Sequence, residues 1–142
     1  ADLIIYGIGS VYTSILPNII IPDIQEALDT TKAKRVYFCN AMTQPGETDG
    51  YCMEDHVKAL KSHGAPVDEV LVASDPLPQS VLRRYYAEGS TPVFIRDAEH
   101  PYKIVRESLL SFENDLIRHD AGKIEQAVKH LVEGLECHSP QK

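Results

Sequence analysis

Tryptophan is missing from the 142 residues, cysteine occurs three times, and the basic residues are few. Each shortage removes a class of protein. The thiols Cys39, Cys52 and Cys137 have neither an even count nor CxxC spacing, which argues against a disulfide framework or a cysteine-built zinc site and fits a reducing compartment. His56, His63, His100, His119, His130 and His138 form no HExxH or HxH pattern, and no GxSxG elbow or Cys/His arrangement marks a covalent nucleophile. Fourteen Lys and Arg against 21 Asp and Glu leave a net charge of −7, and the basic residues are scattered, so no nucleic-acid surface is implied. The longest apolar stretch, Ile15 to Ile21, is broken by Pro17 and Asn18 and falls far short of a membrane span. No signal peptide opens the chain, and internal repeats and low-complexity segments are absent. A soluble, cytoplasmic protein with no nucleic-acid and no membrane partner is the expectation.

An apolar content of 43% in a chain of this length suits one globular domain. Leu3-Ile4-Ile5-Tyr6 is a continuous β-rich run, as in a strand buried on both faces of a parallel sheet. Since the chain opens on Ala1 and enters this strand at once, it reads as starting inside a larger fold. Pro17 and Pro22 predict a short helical segment ending near Ile20 and a second beginning near Pro22, the latter burying Ile24, Ala27 and Leu28. Val36 to Asn40 reads as the second strand. Met53, Val57 and Leu60 then give a helix closed by Gly64, with His56 partly buried and Glu54 paired to Lys58. Glu69 to Ala73 is a third strand, and the helix that Pro78 opens turns Val81, Leu82 and Tyr85 inward before Gly89. Thr91 to Ile95 is predicted as a fourth strand, Tyr102 to Leu110 as an edge strand and connection. Asp120 caps a final helix along Ile124, Ala127, Val128, Leu131 and Leu135. This alternation predicts an α/β fold: a Rossmann-like parallel sheet with right-handed crossovers and helices on both faces, residues 1–135 forming one domain and 136–142 a frayed tail.

All strands of a parallel sheet end on one edge, so Gly7 to Ser14, Asn40 to Tyr51 and Ser74-Asp75 should share a rim where such folds bind ligands. In the first loop, Gly7 and Gly9 would let backbone approach an anion, with the hydroxyls of Ser10, Thr13 and Ser14 at a helix start. Tyr12 stands where GxGxxG needs its third glycine and no P-loop lysine follows, so this loop would equally serve as a tight turn. Pro45-Gly46 suits a type II turn and Asp49-Gly50 a second reversal. Between these, Glu47, Thr48 and Asp49, with Asn40, Thr43 and Gln44 upstream, could read hydroxyls, an amide edge or a hydrated cation. The same residues would also suit an ordinary loop that caps the next helix. Arg118, beside His119 and Asp120, could offer a cation to phosphate.

Four stretches carry a resemblance: Gly7-Ile8-Gly9-Ser10-Val11-Tyr12-Thr13-Ser14-Ile15-Leu16-Pro17-Asn18, Cys39-Asn40-Ala41-Met42-Thr43-Gln44-Pro45-Gly46-Glu47-Thr48-Asp49-Gly50-Tyr51, Asp55-His56-Val57, and Ile117-Arg118-His119-Asp120. Together they resemble the bacterial gluconeogenesis-factor family, relatives of the 2-phospho-L-lactate transferases of coenzyme F420 biosynthesis, over nearly the whole chain. The resemblance implies a Rossmann-like fold, a cytoplasmic role in cell shape during growth on gluconeogenic carbon sources, and binding of a nucleotide sugar such as UDP-N-acetylglucosamine. On this reading Gly7, Gly9, Ser10, Tyr12, Thr13, Ser14 and Asn18 take phosphate; Asn40, Thr43, Gln44, Gly46, Glu47, Thr48, Asp49 and Arg118 complete the site. A non-catalytic regulator leads; the alternative is a transferase that moves a phosphate-bearing group with Mg²⁺ held partly by Glu47 or Asp49. The family's amino-terminal half with its GGGTG-type loop has no counterpart here, so the chain resembles the second half of such a protein. Ile8 stands where the family would have proline. Beside the nucleotide or nucleotide sugar, the partners this reading names are that missing amino-terminal half and, as an open alternative, further copies in a homo-oligomer.

Overall fold

A computed structural model describes the backbone of residues 1–138 and the side chains of residues 1–135; the rest of the expected tail, 139–142, lies outside the described residues. Four parallel strands form the main sheet in the order β1 (Leu3–Tyr6), β2 (Lys34–Phe38), β3 (Glu69–Ala73), β4 (Lys103–Glu107). Between β1 and β2 run a π-helical turn (Val11–Ile15), α1 (Leu16–Ile19) and α2 (Pro22–Thr30); α3 (Met53–Ser62) joins β2 to β3, and α4 (Gln79–Ala87) lies between β3 and β4. After β4 the chain forms a small antiparallel pair, β5 (Leu110–Ser111) with β6 (Arg118–His119), and ends in α5 (Ala121–His138).

The two-residue period of the strands divides the core. Tyr6, Tyr37, Cys39 and Val70 face one side and pack with Val11, Ile15, Leu16, Ile19, Met53, Val57 and Leu60, while Val36, Phe38 and Leu71 face the other and meet Leu109 with Ala127 and Leu131 of α5. Helices therefore cover both faces, as the alternation predicts. At the lower edge Arg35 makes a bidentate pair with Asp68, 2.9 and 3.0 Å, and reaches the Leu28 carbonyl at 2.9 Å, joining α2, β2 and the entry to β3. That pairing raises the Arg35 pKa and lowers that of Asp68.

Several expectations are corrected. In this sheet β1 is an edge strand, and Leu3, Ile4 and Ile5 are only half-buried. Only Leu28 of α2 is buried; Ile24 and Ala27 face outward because α2 meets the core along a narrow line. Thr91 to Ile95 is no sheet strand: Pro92 bridges Met42 in antiparallel fashion, flanked by Thr43 N–H to Thr91 O at 2.8 Å and Val93 N–H to Ala41 O at 2.9 Å. Proline lacks the N–H a ladder needs, and the place beside β3 goes to β4. His56 is wholly buried, its Nδ1 2.8 Å from the Cys52 carbonyl, and burial lowers its pKa. Glu54 does not pair with Lys58; both its oxygens accept the Arg96 N–H at 2.9 Å.

The top of the sheet is held by Asp75, just past β3. Its nearly solvent-free carboxylate accepts from Ser108 Oγ at 2.6 Å, Leu109 N–H at 2.7 Å, Leu110 N–H at 3.1 Å and Lys123 Nζ at 3.1 Å. Burial alone would raise its pKa, but these four donors together hold it well below the usual carboxylate range. Asp75→Ala should cost roughly 3 kcal/mol in chemical denaturation, since two buried amides lose their acceptor. Because the folded pKa is depressed, the stabilisation is complete above the ordinary carboxyl value near pH 4 and fades as pH falls below it. Denaturation midpoints between about pH 5 and pH 3 should therefore fall more steeply for the parent than for Asp75→Asn.

Candidate functional site

The first rim loop turns sharply at Gly7, whose φ of 108° suits glycine, and a Cβ there would lie 3.4 Å from the Phe38 carbonyl oxygen. Gly9 is not left-handed; its constraint is space, since a Cβ would stand 3.0 Å from Ser14 Cβ. Ser10 caps the π-helical turn, its Oγ accepting the Thr13 N–H at 3.4 Å and donating to Glu47 Oε2 at 3.3 Å. One serine hydroxyl thus ties the first rim loop to the second. Asn40 makes a second tie: its Nδ2 donates to the Gly9 carbonyl at 3.0 Å and its Oδ1 accepts from Tyr37 Oη at 2.6 Å.

Both predicted reversals are present, with φ of 84° at Gly46 and 72° at Gly50. Most polar groups of this loop serve the loop itself. The buried Thr43 Oγ1 accepts the Thr91 N–H at 2.9 Å, the buried Thr48 Oγ1 accepts the Gln44 N–H at 2.8 Å, and Asp49 accepts the Gly46 N–H at 2.7 Å. Asp49 is therefore not the cap of α3; Cys52 and Asp55 form that cap, with the Cys52 N–H 3.1 Å from Asp55 Oδ2, which lowers the Asp55 pKa. Tyr12 joins its hydroxyl to that of Tyr51 at 2.9 Å, an interaction that pushes the Tyr12 pKa up to about 12. Glu47 and Asp49 each accept a hydrogen bond from the chain, and no group of three His, Cys, Asp or Glu side chains is placed to hold a metal among the described residues.

Where the strands end, a pocket of about 340 Å³ opens between the two rim loops and the β5–β6 hairpin. Of the predicted residues, Gly9, Ser10, Asn40, Thr43 and Gln44 line it. Gly7, Ser14 and Asn18 line a neighbouring hollow of about 250 Å³ that shares Ile8 with it, and Tyr12 and Asp49 line a third of about 470 Å³ over α3. Thr13, Gly46, Glu47, Thr48 and Arg118 are not part of the first pocket's wall.

Its far wall consists of residues the sequence reading missed: Tyr85, Glu88 and Ser90 from the end of α4, then Leu110, Ile117 and His119. Tyr85 Oη accepts the Ile117 N–H at 2.8 Å and so fixes the hairpin against α4. The signal for His119 stood next to Arg118, but neighbours on a strand face opposite ways, and it is the histidine that turns inward. His119 Nε2 is shut off from water and has no hydrogen-bond partner among the described residues, and burial lowers its pKa against the opposing pull of the Asp75 charge.

Comparison with known proteins adds the lineage. The family described as 2-phospho-L-lactate transferase CofD matches residues 1–110. The gluconeogenesis factor of Bacillus subtilis is 43% identical over 137 residues, covering 93% of this chain and 43% of that protein. The gluconeogenesis factor of Halalkalibacterium halodurans is 40% identical over 135 residues, covering 90% of this chain and 41% of the relative. A crystal structure of a upf0052 family protein from Bacillus halodurans superposes with a TM-score of 0.83 at 38% identity, covering 90% of this chain and 43% of that one. This chain spans less than half the length of each.

The hydrogen bonding separates two residues that the sequence treats alike. Thr43→Ala should lower the melting temperature by the equivalent of about 1 to 3 kcal/mol, because the buried Thr43 side chain loses its methyl packing and the part-buried Thr91 amide its acceptor. Asp49→Asn, at an exposed loop, should change it by roughly 0.5 kcal/mol or less. Equal shifts in thermal denaturation would contradict this division.

Proposed function

Since this chain belongs to the 2-phospho-L-lactate transferase CofD family, we propose that it supplies part of a nucleotide-sugar site in a regulatory protein of the gluconeogenesis-factor kind. UDP-N-acetylglucosamine is the type of ligand, and the role is the control of cell shape during growth on gluconeogenic carbon sources, without catalysis. The pocket at the carboxyl ends of β1 and β2 carries this reading: parallel α/β sheets bind ligands there, and both rim loops meet in its wall. Because the chain spans less than half of its relatives, the remaining length is expected to complete the site. Calorimetry on a version extended to the relatives' length should register UDP-N-acetylglucosamine; absence of heat at millimolar ligand overturns the proposal.

The family's description supports a second reading, transfer of a phosphate-bearing group from a nucleotide donor. On that reading donor turnover requires Mg²⁺ and is lost in Glu47→Gln, a residue that the structure holds at the Ser10 hydroxyl of the rim. Turnover independent of both would remove it.

A further inference from the structure

We propose that the pocket between the rim loops and the hairpin takes the neutral, hydroxyl-bearing ring of its ligand, and that the phosphates are held outside it. The inference rests on the nucleotide-sugar reading and narrows it. Among the described residues no lysine or arginine lines this pocket, Glu88 is the one carboxylate in its wall, and the nearby cation Arg118 is exposed and absent from the wall. A diphosphate placed there would meet the exposed Glu88 carboxylate and no compensating cation, so the wall offers repulsion with nothing to offset it.

The polar groups left over point the same way. Asn40, Thr43 and Ser90 are already engaged, the last donating to the Thr43 carbonyl at 2.6 Å. Gln44's side-chain amide has no hydrogen bond among the described residues, and Glu88 has only Arg84 at 4.0 Å. An amide and a carboxylate beside the Tyr85 ring match a ring with hydroxyl or amide groups, since a carboxylate accepts from hydroxyls and repels phosphate. The sugar and the nucleoside of a nucleotide sugar share this chemistry.

Amide-detected NMR titration of the 142-residue chain tests it, with N-acetylglucosamine, uridine, pyrophosphate and UDP-N-acetylglucosamine as separate probes. Expected are millimolar shifts at Gln44, Glu88 and His119 with at least one neutral probe, unchanged between low and high salt; which of the two acts tells whether sugar or nucleoside enters. Pyrophosphate should leave these resonances in place. Gln44→Ala or Glu88→Gln should weaken the neutral probe about tenfold, the worth of one good hydrogen bond, with the rest of the spectrum intact. Glu88→Lys should gain pyrophosphate binding. Salt-sensitive pyrophosphate shifts in the parent pocket, or none with either neutral ring at tens of millimolar, overturn the inference. If the nucleotide sugar moves the pocket while both neutral rings fail, the inference falls and the nucleotide-sugar reading stands; a neutral ring that binds where the nucleotide sugar does not supports the neutral pocket, and the nucleotide-sugar reading is then decided by calorimetry on the extended version.

Discussion

The carboxylate of Asp75 sets the geometry on which the candidate pocket depends. It is the acceptor for the amides of Leu109 and Leu110 and for the Lys123 ammonium, so the end of β3, the exit of β4 and the start of α5 converge on one buried group. Lys123 also donates to the Leu110 carbonyl at 2.6 Å, which fixes the first residue of the hairpin from both sides of its peptide. With that root held and Tyr85 receiving the Ile117 amide farther along, the hairpin can only lie across the strand ends. Leu110, Ile117 and His119 reach the pocket for this reason.

The facing wall is built by mutual engagement of the two rim loops. Ser10 holds Glu47 and Asn40 holds Gly9, while the arm at Thr91 to Val93 pins the back of the second loop. That arm is itself tied to α3, where the Phe94 carbonyl accepts the Met53 N–H at 2.8 Å and Glu54 accepts the Arg96 amide. Most polar side chains of the loops therefore act as scaffold. On the proposed reading, recognition falls to the few groups the scaffold does not use, and their charge decides what can bind.

The fold was legible wherever a local rule governs. Val36 and Phe38 against Tyr37 and Cys39 alternate in sequence, and the two sets meet different helices. Both turns of the second rim loop follow from Pro45-Gly46 and Asp49-Gly50, because φ > 0 is nearly a glycine property. Failures came where the partner is distant in sequence. Thr91 to Ile95 has the composition of a strand, yet only the fold shows that it pairs with the loop at Met42. Asp49 and Thr43 are both polar loop residues on paper, but one closes a turn back to Gly46 and the other anchors a segment 48 residues away.

Composition, periodicity and turn chemistry determined by themselves that this is a parallel α/β fold with both rim loops on one edge, since each depends on residues a few positions apart. The identity of the pocket walls was decided only by tertiary structure. Glu88 and His119 enter through a helix end and a hairpin whose positions depend on Asp75 and Tyr85, and strand parity, invisible without a known register, chose His119 over Arg118. Charge followed the same division: the sequence carries a net −7 and 14 basic residues, but only the folded chain reveals that no lysine or arginine among the described residues lines this pocket.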